Sequence, residues 1–237
     1  MCQKCIASGL SRRSLLRGSG AVLALAATVP LHSTAAQAAD ADPGNPDEAI
    51  QRLMDGNARY VANAPINTDF SHDRAERALG QAPFAAIISC ADSRVAPEVI
   101  FDQGPGDLFV VRVAGNFINE DGLASLEYGS LVLGIKTIVV LGHSACGAVS
   151  ATIDAVKNGT ELPGHLPSLI NAIRPAVEAA MAAKPDDLLA AATAENAKLN
   201  AEYAAAATPI LSEAQKAGRL KTTSGVYDIT NGKVTFA

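Results

Sequence analysis

Three short apolar runs constrain the fold of this chain more than any other feature of its sequence. They lie at residues 84–89, 108–111 and 137–141, and none of them alternates apolar with polar side chains. Strands that are buried on both faces have this pattern, as in a parallel sheet covered by helices. Residues 123–133, between the second and third runs, have the apolar spacing of a helix and end at Gly134. The alternation of strand and helix predicts an α/β domain with right-handed crossovers.

Further helices are predicted around these strands. Residues 46–63 have helical apolar spacing, with Asn45 as the cap and Pro46 in the first turn. A short helix is predicted at 73–79 and another from Cys146 to about residue 157, while residues 166–216 are Ala-rich and helical in pattern. Interruptions of this last region are predicted at its prolines, Pro175, Pro185 and Pro209.

The C-terminal residues 225–236 have the pattern of a β-hairpin with an Asn231-Gly232 turn. The expected fold class is therefore α/β, with a central, mostly parallel β-sheet flanked by helices. An N-terminal helical arm precedes this sheet, and the C-terminal β-hairpin completes it. By length, residues 40–237 correspond to one domain.

The first 39 residues differ from the rest of the chain. They contain four basic residues and no acidic one, followed by an apolar stretch at 21–29 and a small-residue run that ends at Ala39. This order is typical of a cleavable signal peptide. The Arg12-Arg13 pair within residues 11–16 favours a twin-arginine signal, which addresses folded cargo to the Tat export machinery. An ordinary secretory signal with two arginines is the alternative.

The charge and hydropathy of residues 40–237 exclude some classes of partner. This region has 24 acidic and 15 basic residues, a net charge of −9, which argues against binding nucleic acid or anionic membrane. No later segment has the length and hydrophobicity of a membrane-spanning helix. We expect a periplasmic or otherwise extracytoplasmic product without membrane insertion. The Cys2–Cys5 pair lies in the predicted signal, and its C-x-x-C spacing is interpreted as incidental.

Two short motifs follow predicted strands directly. Cys90-Ala-Asp-Ser-Arg94 comes after the first strand, and His143-Ser-Ala-Cys146-Gly147 comes after the third. In open α/β sheets, ligands bind beyond the carboxyl ends of the strands. Two thiolates and one imidazole are ligands that zinc favours, and three protein ligands leave one coordination position open, as in catalytic zinc sites. A disulfide between the two cysteines is the alternative in an exported protein.

The residues around these ligands have chemistry that suits a catalytic site. The helix that begins near Cys146 is expected to lower the pKa of that thiol, and Gly147 allows the backbone to approach a bound group closely. Asp92 could accept a hydrogen bond from a zinc-bound hydroxide or occupy the open position itself. A bidentate pair with Arg94 would hold Asp92 off the metal and keep it ionised. A structural salt bridge in this loop is the simpler alternative.

With these motifs, the chain resembles the β-class carbonic anhydrases from about residue 48 to 227. That family has C-x-D-S-R followed by H-x-x-C, and here the two cysteines are 56 residues apart. Segments 107–112, 124–128 and 138–147 extend the resemblance. It implies that Cys90, His143 and Cys146 bind one Zn²⁺ per subunit and that Asp92 and Arg94 are the catalytic dyad. The activity implied is reversible hydration of CO2 to bicarbonate and a proton by zinc-bound hydroxide.

The resemblance also implies a substrate pocket and an assembly. The pocket residues would be Gln81, Phe109, Ala114, Tyr128 and Gly147, although core packing explains Phe109 and Tyr128 equally well. The family forms dimers or dimer-based oligomers, with the N-terminal helix reaching across to a partner. Some members hold an inhibitory bicarbonate with a Trp, an Arg and a Tyr, of which Arg112 and Tyr227 match here while Ile87 replaces the Trp. Hydrolysis of carbonyl sulfide or carbon disulfide, or a non-catalytic zinc-binding role, are the alternatives.

Overall fold

The computed structural model describes residues 42–71 and 73–237, which contain a five-stranded β-sheet. The strands are β1 (Ala85–Ser89), β2 (Leu108–Arg112), β3 (Thr137–His143), β4 (Lys221–Tyr227) and β5 (Val234–Phe236). Their order in the sheet is β2-β1-β3-β4-β5. The first four strands are parallel, and β5 is antiparallel to β4. This confirms the predicted α/β class with a mostly parallel sheet and a C-terminal antiparallel pair.

The burial of the strands follows from their places in the sheet. Every residue of β1 and β3 is buried, as their continuous apolar runs predict. β2 has the same kind of sequence, but its residues are only half-buried or exposed within this chain. It lies at the edge of the sheet and pairs with β1 alone among the described residues, so the prediction of burial on both faces was too strong for this strand.

Helices cover both faces of the sheet. Those before β3 are α1 (Pro46–Val61), α2 (Arg74–Arg77), α3 (Pro97–Ile100) and α4 (Glu120–Tyr128), which continues into a π-helical turn at Gly129–Leu133. Those after it are α5 (Gly147–Asn158), α6 (Leu166–Ala183), α7 (Leu188–Ala206) and α8 (Ile210–Lys216). Ala85 and Ile87 of β1 pack with α1 and α3, while Ala86 and Ile88 pack with α4, α7 and α8. The alternation of side chains along a strand produces these two cores.

The N-terminal helix α1 is anchored on its own chain. The Asn45 side chain accepts hydrogen bonds from the N–H groups of Asp47 and Glu48, which caps the helix as predicted. Ala49 and Leu53 of α1 are completely buried in the core beneath the sheet. Burial of one leucine side chain stabilises the fold by about 1.5–3 kcal/mol.

Two local predictions were wrong. Helix α6 continues through Pro175 rather than stopping there. Pro175 and Asn171, the residue whose carbonyl group loses its partner, are both exposed. The two C-terminal strands are joined by residues 228–233 rather than by a two-residue turn, although Gly232 has the expected left-handed backbone with φ of +79°. Asp228 fixes this longer loop by accepting hydrogen bonds from Thr230 and Asn231.

Helix α7 lies unusually close to the carboxyl end of β3. A Cβ atom at Gly142 would lie 3.1 Å from Cγ2 of Thr193 and 3.3 Å from its carbonyl oxygen. A glycine at this position therefore allows α7 to pack directly against the strand that ends in His143. Among residues 42–71 and 73–237, no helix has both the length and the hydropathy needed to cross a membrane. The predicted signal peptide, residues 1–39, lies outside the described residues.

Candidate metal centre

Cys90, His143 and Cys146 come together at the carboxyl end of the sheet. Cys90 follows β1 directly, His143 is the last residue of β3, and Cys146 is the cap of α5. The sulfur and imidazole nitrogen atoms that could bind a metal all lie within 4.8 Å of one another. All three residues are buried, and the two cysteines are free rather than joined in a disulfide. The parallel topology therefore brings together residues that are 53 and 56 positions apart along the chain.

The hydrogen bonds of His143 fit a metal ligand. Its Nδ1 atom lies 2.9 Å from the carbonyl oxygen of Ser144, an acceptor that fixes the proton on Nδ1. The Nε2 atom is buried and has no hydrogen-bond partner among the described residues. A buried polar atom without a partner is costly unless a ligand satisfies it. Nε2 and two sulfur atoms form the donor set that zinc prefers, so the side chains present fit this metal.

The charges of the cluster favour a cation. A hydrogen bond from the Cys146 thiol lowers the pKa of Cys90, and this outweighs the opposing effect of burial. The same bond and burial raise the pKa of Cys146. The N–H groups of Val149 and Ala148, at the start of α5, do lower the pKa of Cys146 as predicted, but they do not outweigh Cys90. Cys90 is therefore the more acidic thiol of the pair, and a cation between the two would favour ionisation of both.

Asp92 and Arg94 form a bidentate ion pair beside the cluster. The Arg94 Nε and Nη2 atoms donate to the two carboxylate oxygens of Asp92 at 2.9 and 2.8 Å, and the Arg94 backbone N–H donates to Oδ1 at 2.9 Å. The side-chain bond from Arg94 is the main reason that the pKa of Asp92 lies well below its usual range. The other oxygen, Oδ2, lies 3.9 Å from Nε2 of His143. Arg94 thus holds an ionised carboxylate at the edge of the cluster.

Arg112 holds the backbone of the loop that contains Cys90 and Asp92. Its Nε and Nη2 atoms each donate to the carbonyl oxygen of Cys90 at 3.1 Å, and Nη2 also donates to the carbonyl oxygen of Asp92 at 2.7 Å. From the sequence, Arg112 is identified only because it matches a residue that holds an inhibitory bicarbonate in some members of the family that the chain resembles. Its location at the end of β2, paired in register with Ser89 of β1, gives it this contact.

The predicted pocket residues divide into two groups. Ala114 and Gly147 are each next to a residue that touches or belongs to the cluster, since Gly115 donates to the Cys90 sulfur and Gly147 follows Cys146. Phe109 and Tyr128 contact each other, with ring centroids 6.4 Å apart, and Phe109 packs with the core formed by β1, α4 and α7 rather than with the cysteines.

Gln81 is exposed before β1, at the opposite end of that strand from Cys90. Tyr128 has 48% of its surface exposed. Within one chain the structure therefore brings Ala114 and Gly147 to the cluster, but not Gln81, Phe109 or Tyr128.

Comparison with known proteins gives a consistent result. A family model described as carbonic anhydrase matches residues 85–234, which include the three clustered residues and the Asp92–Arg94 pair. "Carbonic anhydrase 2" of Mycobacterium tuberculosis is 48% identical over 134 residues, which are 56% of this chain and 65% of that protein. The chain thus spans less than two thirds of the length of this relative.

Two other relatives match over more of their length. A carbonic anhydrase of Pseudomonas aeruginosa is 36% identical over 199 residues, 78% of this chain and 86% of that protein. The solved structure of the β-carbonic anhydrase CcaA matches with a TM-score of 0.61 and 29% identity, over 79% of this chain and 91% of that one. Similarity of sequence and of fold therefore extends over most of residues 42–237.

Proposed function

Since the chain belongs to the β-class carbonic anhydrase family, we propose that it catalyses the reversible, zinc-dependent hydration of CO2 to bicarbonate and a proton. The observation that carries this proposal is the unpartnered, buried Nε2 atom of His143 between two free cysteines, beside a carboxylate held by arginine. Cys90, His143 and Cys146 would hold one Zn²⁺ per subunit. When bound, this metal supplies Lewis-acid chemistry that brings the pKa of a coordinated water towards about 7.

The chain's own residues position the reactants. Asp92 is ionised and its orientation is fixed by Arg94, so its oxygens can accept a hydrogen bond from the reacting water and direct a lone pair of that water away from the carboxylate. Arg112 fixes the Cys90–Ala91 and Asp92–Ser93 peptide groups, which restrains the backbone between Cys90 and Asp92. The buried residues around the cysteines, including Val149 and Ile173, exclude bulk water from that side of the cluster.

The test combines metal analysis with a stopped-flow assay of CO2 hydration on the protein that lacks residues 1–39. We expect about one zinc per chain and measurable hydration. Asp92→Asn should keep the zinc, because the residue is not one of the three clustered ligands, yet lose most of the hydration rate. Cys146→Ser should lose the metal itself.

Each of the other outcomes would indicate a different function or remove one of the assigned roles. A zinc protein that hydrolyses carbonyl sulfide or carbon disulfide but does not hydrate CO2 would be a sulfur-substrate hydrolase. A zinc protein without any of these activities would use the metal for folding only. Wild-type hydration by Asp92→Asn would remove the role assigned to the carboxylate, and full zinc occupancy in Cys146→Ser would remove the ligand assignment.

The same proposal includes export by the twin-arginine route to the periplasm or another extracytoplasmic compartment. Its support is the Arg12-Arg13 pair, the apolar stretch at 21–29 and the small residues before Asp40. A signal of this kind would let the chain fold in the reducing cytoplasm, and its two thiols bind metal there, before export. Replacing Arg12 and Arg13 together with lysine should leave the precursor in the cytoplasm. Unchanged export of this variant would contradict the route.

A homodimer or dimer-based oligomer is the proposed assembly. Its support is a set of large apolar side chains that are well exposed within one chain, among them Leu79 at 91% and Leu131 at 69%. Gln81 and Tyr128, which the family resemblance assigns to the pocket, are also exposed within the single chain. Sedimentation velocity of the protein that lacks residues 1–39 should give a species of at least twice the mass of one chain, and a monomer at micromolar concentration would contradict the assembly.

A further inference from the structure

The loop of residues 113–119, between β2 and α4, contacts the metal centre through a backbone hydrogen bond. The N–H group of Gly115 donates to the Sγ atom of Cys90 at 3.2 Å. The loop has an unusual path at this point, since Gly115 has φ of +84° and Asn116 has φ of +44°, both in the left-handed region. A contact this close to a ligand sulfur therefore depends on whatever fixes the loop in its unusual conformation.

Two asparagines of α7 fix this loop. The Nδ2 atom of Asn196 donates to the carbonyl oxygen of Gly115 at 2.7 Å. One helical turn later, Oδ1 of Asn200 accepts a hydrogen bond from the backbone N–H of Ile118 at 2.8 Å. Asn200 also donates through Nδ2 to the carbonyl oxygen of Asn196 at 2.8 Å, so that the two side chains form one network. Asn196 is only 1% exposed, which means that water does not compete for its bond to Gly115.

The other side of the loop is closed by packing. A Cβ atom at Gly115 would lie 2.4 Å from Cδ1 of Ile173 in α6 and 3.2 Å from Cβ of Ala148 in α5. Gly115 is thus confined between the apolar contacts of α5 and α6 and the hydrogen bonds of α7. Asn196 holds the peptide plane that follows Gly115, and the packing against Ile173 and Ala148 leaves the Gly115 N–H little freedom to turn.

We propose that Asn196 and Asn200 are positioning residues that hold the Gly115 N–H on the Cys90 sulfur and thereby tune the metal-binding thiolate. The inference rests on the proposed zinc site. A hydrogen bond to a ligand sulfur withdraws electron density from it, and such outer partners typically alter metal affinity by about 10–100-fold. Two thiolates donate much electron density to a metal. A hydrogen bond to one of the sulfur atoms reduces this donation, so the metal stays a stronger Lewis acid than it would be with two thiolates that accept no hydrogen bond.

The two asparagines permit a matched pair of isosteric substitutions. Asn196→Asp replaces the amide donor that faces Gly115 with a carboxylate oxygen, which cannot donate and repels the carbonyl group. Asn200→Asp keeps an acceptor for the Ile118 N–H and so preserves that contact with the loop, but it loses the hydrogen bond that Asn200 donates to Asn196. We expect Asn196→Asp to bind zinc about 10–100-fold more weakly in a chelator competition. Asn200→Asp, which keeps the contact with Ile118, should weaken zinc binding less than Asn196→Asp does.

The readout that separates tuning from folding is the spectrum of the cobalt(II)-substituted protein. Its thiolate-to-cobalt charge-transfer band reports the electron density on the sulfur ligands. This band should shift in Asn196→Asp and in Asn196→Ala. The second variant is included because the buried carboxylate of the first could prevent folding. As a control for general loosening, Gln215→Ala removes two amide–backbone bonds, to Ala205 and Thr222, near the start of β4 and away from the cluster.

Each result has a defined meaning. A wild-type band in a folded Asn196 variant, or an equal shift in Gln215→Ala, would overturn the positioning role. A shift that is confined to the Asn196 variants would support it. If the wild-type protein itself binds neither zinc nor cobalt, the proposed function fails. If it binds zinc and hydrates CO2 while the Asn196 variants keep its spectrum and affinity, only the present inference fails.

Discussion

Replacing Arg112 with lysine should disturb the active site without removing any residue of the metal cluster. Arg112 makes three hydrogen bonds to two carbonyl groups, at distances of 2.7–3.1 Å. A guanidinium group can make them together because its donors form a planar fork, whereas an ammonium group is a single point donor on a flexible chain. At least two of the three bonds should therefore be lost in Arg112→Lys, while the positive charge remains.

The magnitude follows from the kind of bond and its exposure. A hydrogen bond from a charged donor contributes about 1.5–3 kcal/mol to stability. Arg112 is exposed, so water can replace part of each lost bond, and about 2 kcal/mol in total is a reasonable loss in the free energy of unfolding. In a domain of this size that lowers the melting temperature by about 4–8 °C. Because a shift of about 1 Å in a positioned group can cost up to about 100-fold in rate, kcat/KM should fall about 10–100-fold.

The measurements are zinc content, thermal unfolding and stopped-flow hydration of CO2. A matched control is Arg59→Lys, which weakens an ion pair with the buried Asp102, in the segment that precedes β2. That variant should lower the melting temperature and leave kcat/KM within about twofold of wild type, since it touches no residue of the site. If Arg112→Lys keeps the wild-type kcat/KM with full zinc, or if both variants lose activity equally, the backbone clamp is not what positions Asp92.

Two further predictions concern pH and metal removal. Burial, together with a contact of 3.1 Å to the hydroxyl of Tyr60, raises the pKa of Tyr227 to about 12. The unfolded chain loses this proton near pH 10, so the free energy of unfolding should fall between about pH 10 and 12. Urea titrations should show a smaller fall in Tyr227→Phe. An equal fall in the wild type and in Tyr227→Phe would contradict the assignment. Chelation of the metal from the protein that lacks residues 1–39 should expose two titratable thiols, Cys90 and Cys146, whereas none would appear if they formed a disulfide.

The sequence predicts the sheet well because its signal is local and strong. A buried parallel strand needs a continuous apolar run, and the runs at β1 and β3 are found within one residue of their predicted starts. The position of the cluster follows from the same fact, because residues after parallel strands meet at one edge of the sheet. The half-buried state of β2 was not predictable in the same way, since edge and central strands differ in their neighbours rather than in their own residues.

Proline illustrates where a local rule fails. Within a helix, a proline removes one hydrogen bond at a cost of about 3 kcal/mol, which usually ends the helix. In α6 the residues on either side of Pro175 that face inward, such as Ile173 and Val177, are completely buried. Their burial offsets the lost bond, whose free carbonyl group belongs to the exposed residue Asn171. The sequence shows the proline but not which side of the helix will face water.

Local sequence patterns could not predict the hydrogen bonds that hold the loop beside the cluster. Asn196 and Gly115 are 81 positions apart, and Asn200 and Ile118 are 82 apart, so no periodicity connects them. Two asparagines four residues apart, in a helix otherwise rich in alanine, were nevertheless a usable signal, because such a pair lies on one face and is expensive to bury without partners. A polar pair on the buried face of an apolar helix indicates that something opposite needs hydrogen bonds. Here that partner is the loop whose N–H group contacts Cys90, so the same polar face that α7 buries also determines how a metal-binding sulfur is held.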